Sequence, residues 1–179
     1  MFNVYGTKRL LHRIKRRPYL PLPTKTILLD PPCPSVADSG TALGDWHAQL
    51  LFWKREVVLF VNERTLLPVL VPIESSVKVL DRFPFSLSEL LHEIGVDRQF
   101  ISKEIEAMVD PQLCKTSDRS MTAILNEYSF LAEHAIEFGF AGRLIDLSWW
   151  LAKSSQGSLL SGHGSPDQEV LALTSALLV

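Results

Sequence analysis

Apolar residues in the first part of the chain come in short runs suited to strands, and later they recur at the three-to-four-residue spacing of helices. Phe2–Gly6 alternates as a short strand, and Thr7 then offers an N-cap for a helix with Leu10, Leu11 and Ile14 on one stripe. The sequence "LGDWHAQLLFW" predicts a short helix capped by Asp45 and carrying Trp46, Leu50 and Trp53, although so short a run also fits a strand. Two β-branched runs, Val57–Val61 and Leu66–Ile73, flank the polar Asn62-Glu63-Arg64-Thr65 and predict a hairpin. Pro68 and Pro72 place its second strand at a sheet edge or a bulge, because proline has no N–H for the ladder.

Beyond the hairpin the pattern is helical. Ser86 and Glu89 suggest a capping box before Leu87–Ile94, Gly95 stops that helix, and Asp97 caps the next, which runs to about Met108. Residues 118–138 carry Met121, Ile124, Leu125, Tyr128, Leu131 and Ala135 on one face, with Ser117 or Asp118 as the cap. Residues 143–153 form another helix, and Ser165 with Pro166 opens a last one. The pattern predicts an α+β fold, with a small, mostly antiparallel sheet (the N-terminal strand plus the central hairpin) packed against several helices, all on one side of it. The 179 residues suit a single domain, 1–179, in which 18–43 is a proline-rich irregular segment.

Composition sharpens this picture in two ways. An apolar fraction of 46% is ample for a packed core, and no apolar run reaches the roughly 18 residues of a membrane span. The net charge of −2 hides an uneven distribution, with seven Lys/Arg and no acid in residues 1–29. Cys33 and Cys114 have neither metal-site nor disulfide-framework spacing, which points to a reducing compartment and a cytoplasmic protein.

The basic start raises the first chemical question. A helix N-terminus carries about half a positive charge, so Lys8 and Arg9 after Gly6-Thr7 sit in an unfavourable field unless an anion is present. Lys115, Thr116 and Arg119 repeat the arrangement around a second helix start, and both stretches hold the parts needed to bind phosphate or carboxylate. Neither is a P-loop. Arg13, Lys15, Arg16 and Arg17 form a second candidate, a nucleic-acid patch, although cations near a helix C-terminus suit the dipole without any partner. Other patterns carry less weight. Ser165 is explained as a helix start, Glu133 and Glu137 beside His134 fit a solvent face, Trp149-Trp150 fits packing, and the histidines lack metal-ligand spacing.

With "GTKRLL", "LGDWHAQLL", "LFVNERTLLPVLVP" and "KTSDRSMTAILNEYSFL", the chain resembles a family of small prokaryotic proteins known only as a domain of unknown function. The likeness runs from the first strand to near Leu151. Thr7, Lys8, Asp45, Trp46, Glu63, Lys115, Thr116, Arg119 and Ser120 fall on its motif positions, while Asp118 and the long proline-rich insert depart from its pattern. The resemblance implies a cytoplasmic single domain and no established activity.

Three functions fit the sequence. The leading one is a binding module whose cationic polar pocket gathers Thr7, Lys8, Asp45, Trp46, Arg64, Lys115, Thr116, Arg119 and Ser120 around a phosphorylated or nucleic-acid ligand, with no cofactor. The second is a metal-assisted phosphodiester hydrolase using Asp45 and Glu63 as metal or base residues. The third is a protein–protein partner such as an inhibitory subunit, with the Trp residues and the proline segment as its contact surface.

Overall fold

Strand pairing in the computed structural model brings the first residues of the chain to the middle of a six-stranded sheet. The structure describes residues 2–16, 27–28, 40–73, 79–109, 111–154 and 164–177. In chain order the elements are β1 (Phe2–Gly6), α1 (Lys8–Arg16), β2 (Ile27–Leu28), β3 (Trp46–Phe52), β4 (Glu56–Asn62), β5 (Pro68–Pro72), α2 (Val79–Ile94), α3 (Arg98–Ala107), β6 (Pro111–Lys115), α4 (Arg119–Glu137), α5 (Leu144–Lys153) and α6 (Pro166–Leu177). The strand order is β2-β6-β1-β3-β4-β5.

The fold is α+β, and the antiparallel ladders β3–β4 and β4–β5 hold more paired residues than the three parallel ones. The parallel half of the sheet comprises β1 between β3 and β6, with β2 beyond β6. Pro68 and Pro72 lie on the edge strand β5, where a missing ladder donor is tolerated.

Three sequence expectations need correction. Trp46–Phe52 is a strand, not a helix capped by Asp45, because Trp46, Ala48 and Leu50 turn to one core while Leu51 turns to the other. Ser86 does not open a helix: it is buried inside α2, which begins at Val79. Helices cover both faces of the sheet, not one. Val58 and Phe60 of β4 belong to the core that holds Leu10, Ile14, Phe83 and Leu90, whereas Val57, Leu59 and Val61 belong to the core that holds Met121, Leu125 and Leu147. A strand buried on both sides reads as a continuous apolar run, and "VVLFV" is one.

Phe83 anchors the first core, stacked 4.2 Å from Phe60 and edge-on 4.8 Å from Trp46. Such ring pairs add about 0.5–1.5 kcal/mol each beyond their buried area. Cys114 is buried and disulfide-bonded, which removes the argument from unpaired cysteines to a reducing compartment. No helix among the described residues is long and apolar enough to cross a membrane. Of the proline-rich segment, only 27–28 and 40–43 are among the described residues, and 27–28 forms β2.

Candidate functional site

β1 and β6 are adjacent and parallel, so they end side by side: Gly6 pairs with Lys115, and Thr116 N–H donates to the Gly6 carbonyl at 3.0 Å. Each strand runs directly into a helix. Leu10 and Ile14 carry α1 onto one face of the sheet, while Met121, Ile124 and Leu125 carry α4 onto the other. Neighbouring parallel strands whose connections leave to opposite faces open a crevice at their carboxyl ends, the usual place for a ligand in sheets with parallel strands. Gly6 keeps this corner tight, since a Cβ there would lie 3.1 Å from Leu11 Cδ2.

The two helix starts at this crevice differ. At α4, Asp118 Oδ1 accepts the N–H groups of Ser120 and Met121 at 2.7 and 3.1 Å, so this chain's own carboxylate meets the dipole. At α1 the first turn holds no acidic residue, and Thr7 Oγ1, the expected cap, is buried with no hydrogen-bond partner among the described residues. Thr7 is instead held through its backbone N–H, which donates to the Ala48 carbonyl at 2.9 Å. Lys8, Lys115, Arg119 and Ser120 are all exposed around the crevice.

Polar side chains line the α4 face of the sheet beside it. Asn3 Nδ2 donates to both Asp45 oxygens at 3.2 Å, and Tyr5 Oη donates to Asp45 Oδ2 at 3.4 Å. The Tyr5 ring stacks on His47 with centroids 5.0 Å apart. His47 bridges two elements: Nδ1 lies 3.2 Å from Thr116 Oγ1 and Nε2 lies 3.6 Å from Glu63 Oε2. A further pair of contacts from Gln49 Nε2, to Asn126 at 3.3 Å and Ser129 at 3.1 Å, ties β3 to α4.

Burial pushes the His47 imidazole below its ordinary pKa, against the opposing pull of Glu63, Asp118 and Asp45. Burial also raises the Tyr5 phenol, and the charge of Asp45 adds to that rise. The site therefore holds a neutral imidazole between a hydroxyl and a carboxylate. The sign for stability follows from linkage. The unfolded chain takes up a proton on His47 near pH 6.5, whereas the folded site resists it. Stability should therefore fall as pH drops from about 6.5 through the depressed folded value. Denaturant midpoints at pH 7.5 and 5.5 should show a smaller acid loss in His47→Gln than in the native protein; an equal loss in both would show that His47 does not contribute.

The sequence-predicted residues separate into three groups. Thr7 and Thr116 follow adjacent strand ends, Thr116 Oγ1 contacts His47, and the His47–Tyr5 stack runs on to Asp45, while Lys8, Lys115, Arg119 and Ser120 are exposed in or next to these turns. Trp46 does not, because neighbours along a strand face opposite sides: its ring is fully buried against Phe83. Arg64 is exposed in the β4–β5 turn, with Nη1 donating to the Ala42 carbonyl at 3.1 Å. Of the basic patch, Arg13 is ion-paired with Glu56, the side chains of Lys15 and Arg16 are not described, and Arg17 lies outside the described residues.

Among the described residues, no three His, Cys, Asp or Glu side chains converge as a metal-holding group, so Asp45 and Glu63 have no third partner of that kind. Ser165 precedes α6, its carbonyl accepting the Glu169 N–H at 3.0 Å while its Oγ donates to the Asp167 carboxylate. Glu133, His134 and Glu137 are exposed. Trp149 is partly buried under Lys153 Nζ, 3.7 Å from its ring, and Trp150 is 43% exposed. A cavity of about 820 Å³ lies at the C-terminal end of β3, lined by Phe52, Trp53 and Phe85 together with charged residues such as Arg55, Arg82 and Glu89, and contains none of the sequence-predicted ligand residues.

Asn3 and Tyr5 were not marked by motif reasoning. His47 carried a usable signal, since in an alternating strand it must share a face with Asp45. Residues 3–169 match the model of a family described as Domain of unknown function (DUF6933). None of the curated proteins compared with the chain matches it.

Proposed function

The chain belongs to this family of unknown function, so its activity has to be read from its own site, and we propose that it binds a small phosphorylated ligand in the crevice between the ends of β1 and β6. The observation that carries this reading is the start of α1, a helix N-terminus without an acidic residue in its first turn, bearing Lys8 and following a strand end paired with that of β6 at Lys115. A phosphate placed there meets backbone N–H groups, the positive end of the dipole and side-chain cations together. The neutral polar face of Tyr5, His47 and Thr116 offers hydrogen-bonding groups to the remainder of the ligand.

A nucleic-acid surface on α1 has less support, because Arg13 is already neutralised by Glu56. The two readings separate in salt. A phosphate-backbone contact weakens steeply as ionic strength rises, whereas a built anion site discriminates among anions at constant ionic strength.

Sodium sulfate should raise the melting temperature above that in sodium chloride of matched ionic strength, by mass action on the folded state. Lys8→Gln should leave the chloride melting temperature unchanged or slightly higher, since the removed cation opposes the dipole by a few tenths of a kcal/mol. The same variant should abolish most of the sulfate increment. An undiminished increment in Lys8→Gln would remove Lys8 from the site, and no increment in the native protein would sink the reading.

A further inference from the structure

Thr116, His47 and Glu63 stand in a row: hydroxyl 3.2 Å from one imidazole nitrogen, carboxylate oxygen 3.6 Å from the other. They come from three elements, the β6–α4 turn, β3 and the β4–β5 turn, so the row is a product of the fold and not of local sequence. A hydroxyl is a weak nucleophile until a base takes its proton, and a base acts best when a third group orients it. His47 is 4% exposed and its ring is fixed by Tyr5 stacked on one side, which leaves Nδ1 aimed at the hydroxyl. A proton on Nε2 would face the Glu63 carboxylate 3.6 Å away, and that tautomer leaves Nδ1 free to accept one. Thr116 is partly exposed at the crevice, with Lys115 and Arg119 near it in sequence and both exposed.

We propose that Thr116 is a phosphoryl-accepting nucleophile and His47 its general base, with Glu63 as a positioning residue; this rests on the crevice being the phosphate site described above. The donor class is an acyl phosphate or a phosphoanhydride. The Thr116 O–H proton passes to His47 Nδ1 as Oγ1 forms a bond to phosphorus, and the bond from phosphorus to the leaving oxygen breaks with its electron pair on the departing carboxylate or phosphate. Water then attacks phosphorus, the bond from phosphorus to Thr116 Oγ1 breaks with its electron pair on Oγ1, His47 Nδ1 returns its proton to that oxygen, and inorganic phosphate leaves with the protons of the water. Lys115 and Arg119 are placed to offset charge on the transferring group, the main protein contribution to this chemistry.

Acetyl phosphate is the probe, with intact mass, peptide mapping and released phosphate as readouts. The native protein should gain about 80 Da, one phosphoryl group, on Thr116. Thr116→Ser should keep the adduct and Thr116→Ala should lose it. His47→Gln should slow labelling about hundredfold, the usual contribution of a general base. The labelling rate should rise with pH through an inflection below the ordinary histidine value of about 6.5. Glu63→Gln should move that inflection lower still, because it removes a carboxylate that favours the imidazolium, a shift that a purely structural role for Glu63 would not produce. Asp45 and Asp118, the other carboxylates acting on His47, stay in place in every variant.

An adduct that survives Thr116→Ala, an unchanged rate in His47→Gln, or neither adduct nor phosphate release above the protein-free control would overturn the proposal. If phosphoryl transfer fails while Thr116→Ala keeps its sulfate-specific stabilisation, binding stands without chemistry. If the native protein shows neither, both readings fall together.

Discussion

Asn62→Ala should cost about 3–5 kcal/mol of folding stability, an effect at the upper end for a single substitution. Asn62 closes β4 and is fully buried. Its Nδ2 donates to the carbonyls of Leu43 at 3.0 Å and Asp45 at 3.2 Å. Its Oδ1 accepts from Arg64 N at 3.1 Å and from Thr65 N and Oγ1 at 2.9 Å each. One amide thus joins the β4–β5 turn to the loop that precedes β3. That turn includes Leu66 at φ +59°, a left-handed conformation that a branched side chain rarely adopts, held by Tyr128 Oη donating to the Leu66 carbonyl at 2.9 Å.

Truncation to Ala leaves buried carbonyls and N–H groups without this partner, and each unsatisfied group costs about 1–3 kcal/mol. Asn62→Asp preserves size and the accepting oxygen but turns a carboxylate toward the two carbonyls, so it should also destabilise. Chemical denaturation of both variants is the measurement. A loss below about 1 kcal/mol in Asn62→Ala would mean that water replaces the amide without strain. The variant bears on the site as well, because Asp45 and Glu63 flank the two segments that Asn62 joins, and the Glu63 N–H donates to the Asp45 carbonyl at 3.1 Å.

The elements legible in the sequence were those with a local chemical signature. Asp97 and Asp118 cap α3 and α4 through their side chains as their positions suggested, and the two apolar runs around Asn62-Glu63-Arg64-Thr65 form the β4–β5 hairpin. What was not legible depends on pairing at a distance. β6 is five residues opened by Pro111, and only its partnership with β1 and β2 makes it a strand. For "WHAQLLF", helix and strand patterns compete, and pairing on both sides by β1 and β4 decides it.

The same reason governs the site. Lys8, Lys115, Thr116 and Arg119 could be marked because they sit at helix starts. That β1 and β6 are neighbours, so that the two helix starts follow adjacent strand ends, is a property of the strand order alone. Tyr5 meets His47 because the register sets them opposite each other, and Trp46, one residue away, is carried into the opposite core. A motif read as a contiguous word therefore divides in space: Asp45 to the polar face, Trp46 to the hydrophobic one.

Glu104→Ala should be the second severe substitution, costing about 3–4 kcal/mol through two orphaned donors. Glu104 lies on α3, is 2% exposed, and accepts the backbone N–H groups of Ala42 at 2.7 Å and Leu43 at 3.1 Å. It is thus the tether of the loop that delivers Asp45 to Asn3 and Tyr5. Burial raises its pKa, and the two N–H bonds oppose that rise without cancelling it. The folded state therefore holds the proton more tightly than the unfolded chain, whose glutamate titrates near 4.3. The stabilisation linked to that proton is complete below about 4.3, declines as pH rises through the higher folded value, and is flat beyond it. Glu104→Gln keeps one acceptor and cannot ionise. The stability of native protein minus that of Glu104→Gln should therefore fall between pH 4 and the folded pKa and then level off. A difference that rises with pH in that window would mean that the two N–H bonds outweigh burial. Hydrogen exchange at Ala42 and Leu43 should quicken in Glu104→Ala beyond what its global destabilisation requires; protection lost only in proportion to global stability would show that the loop is held by Asn62 without help from Glu104.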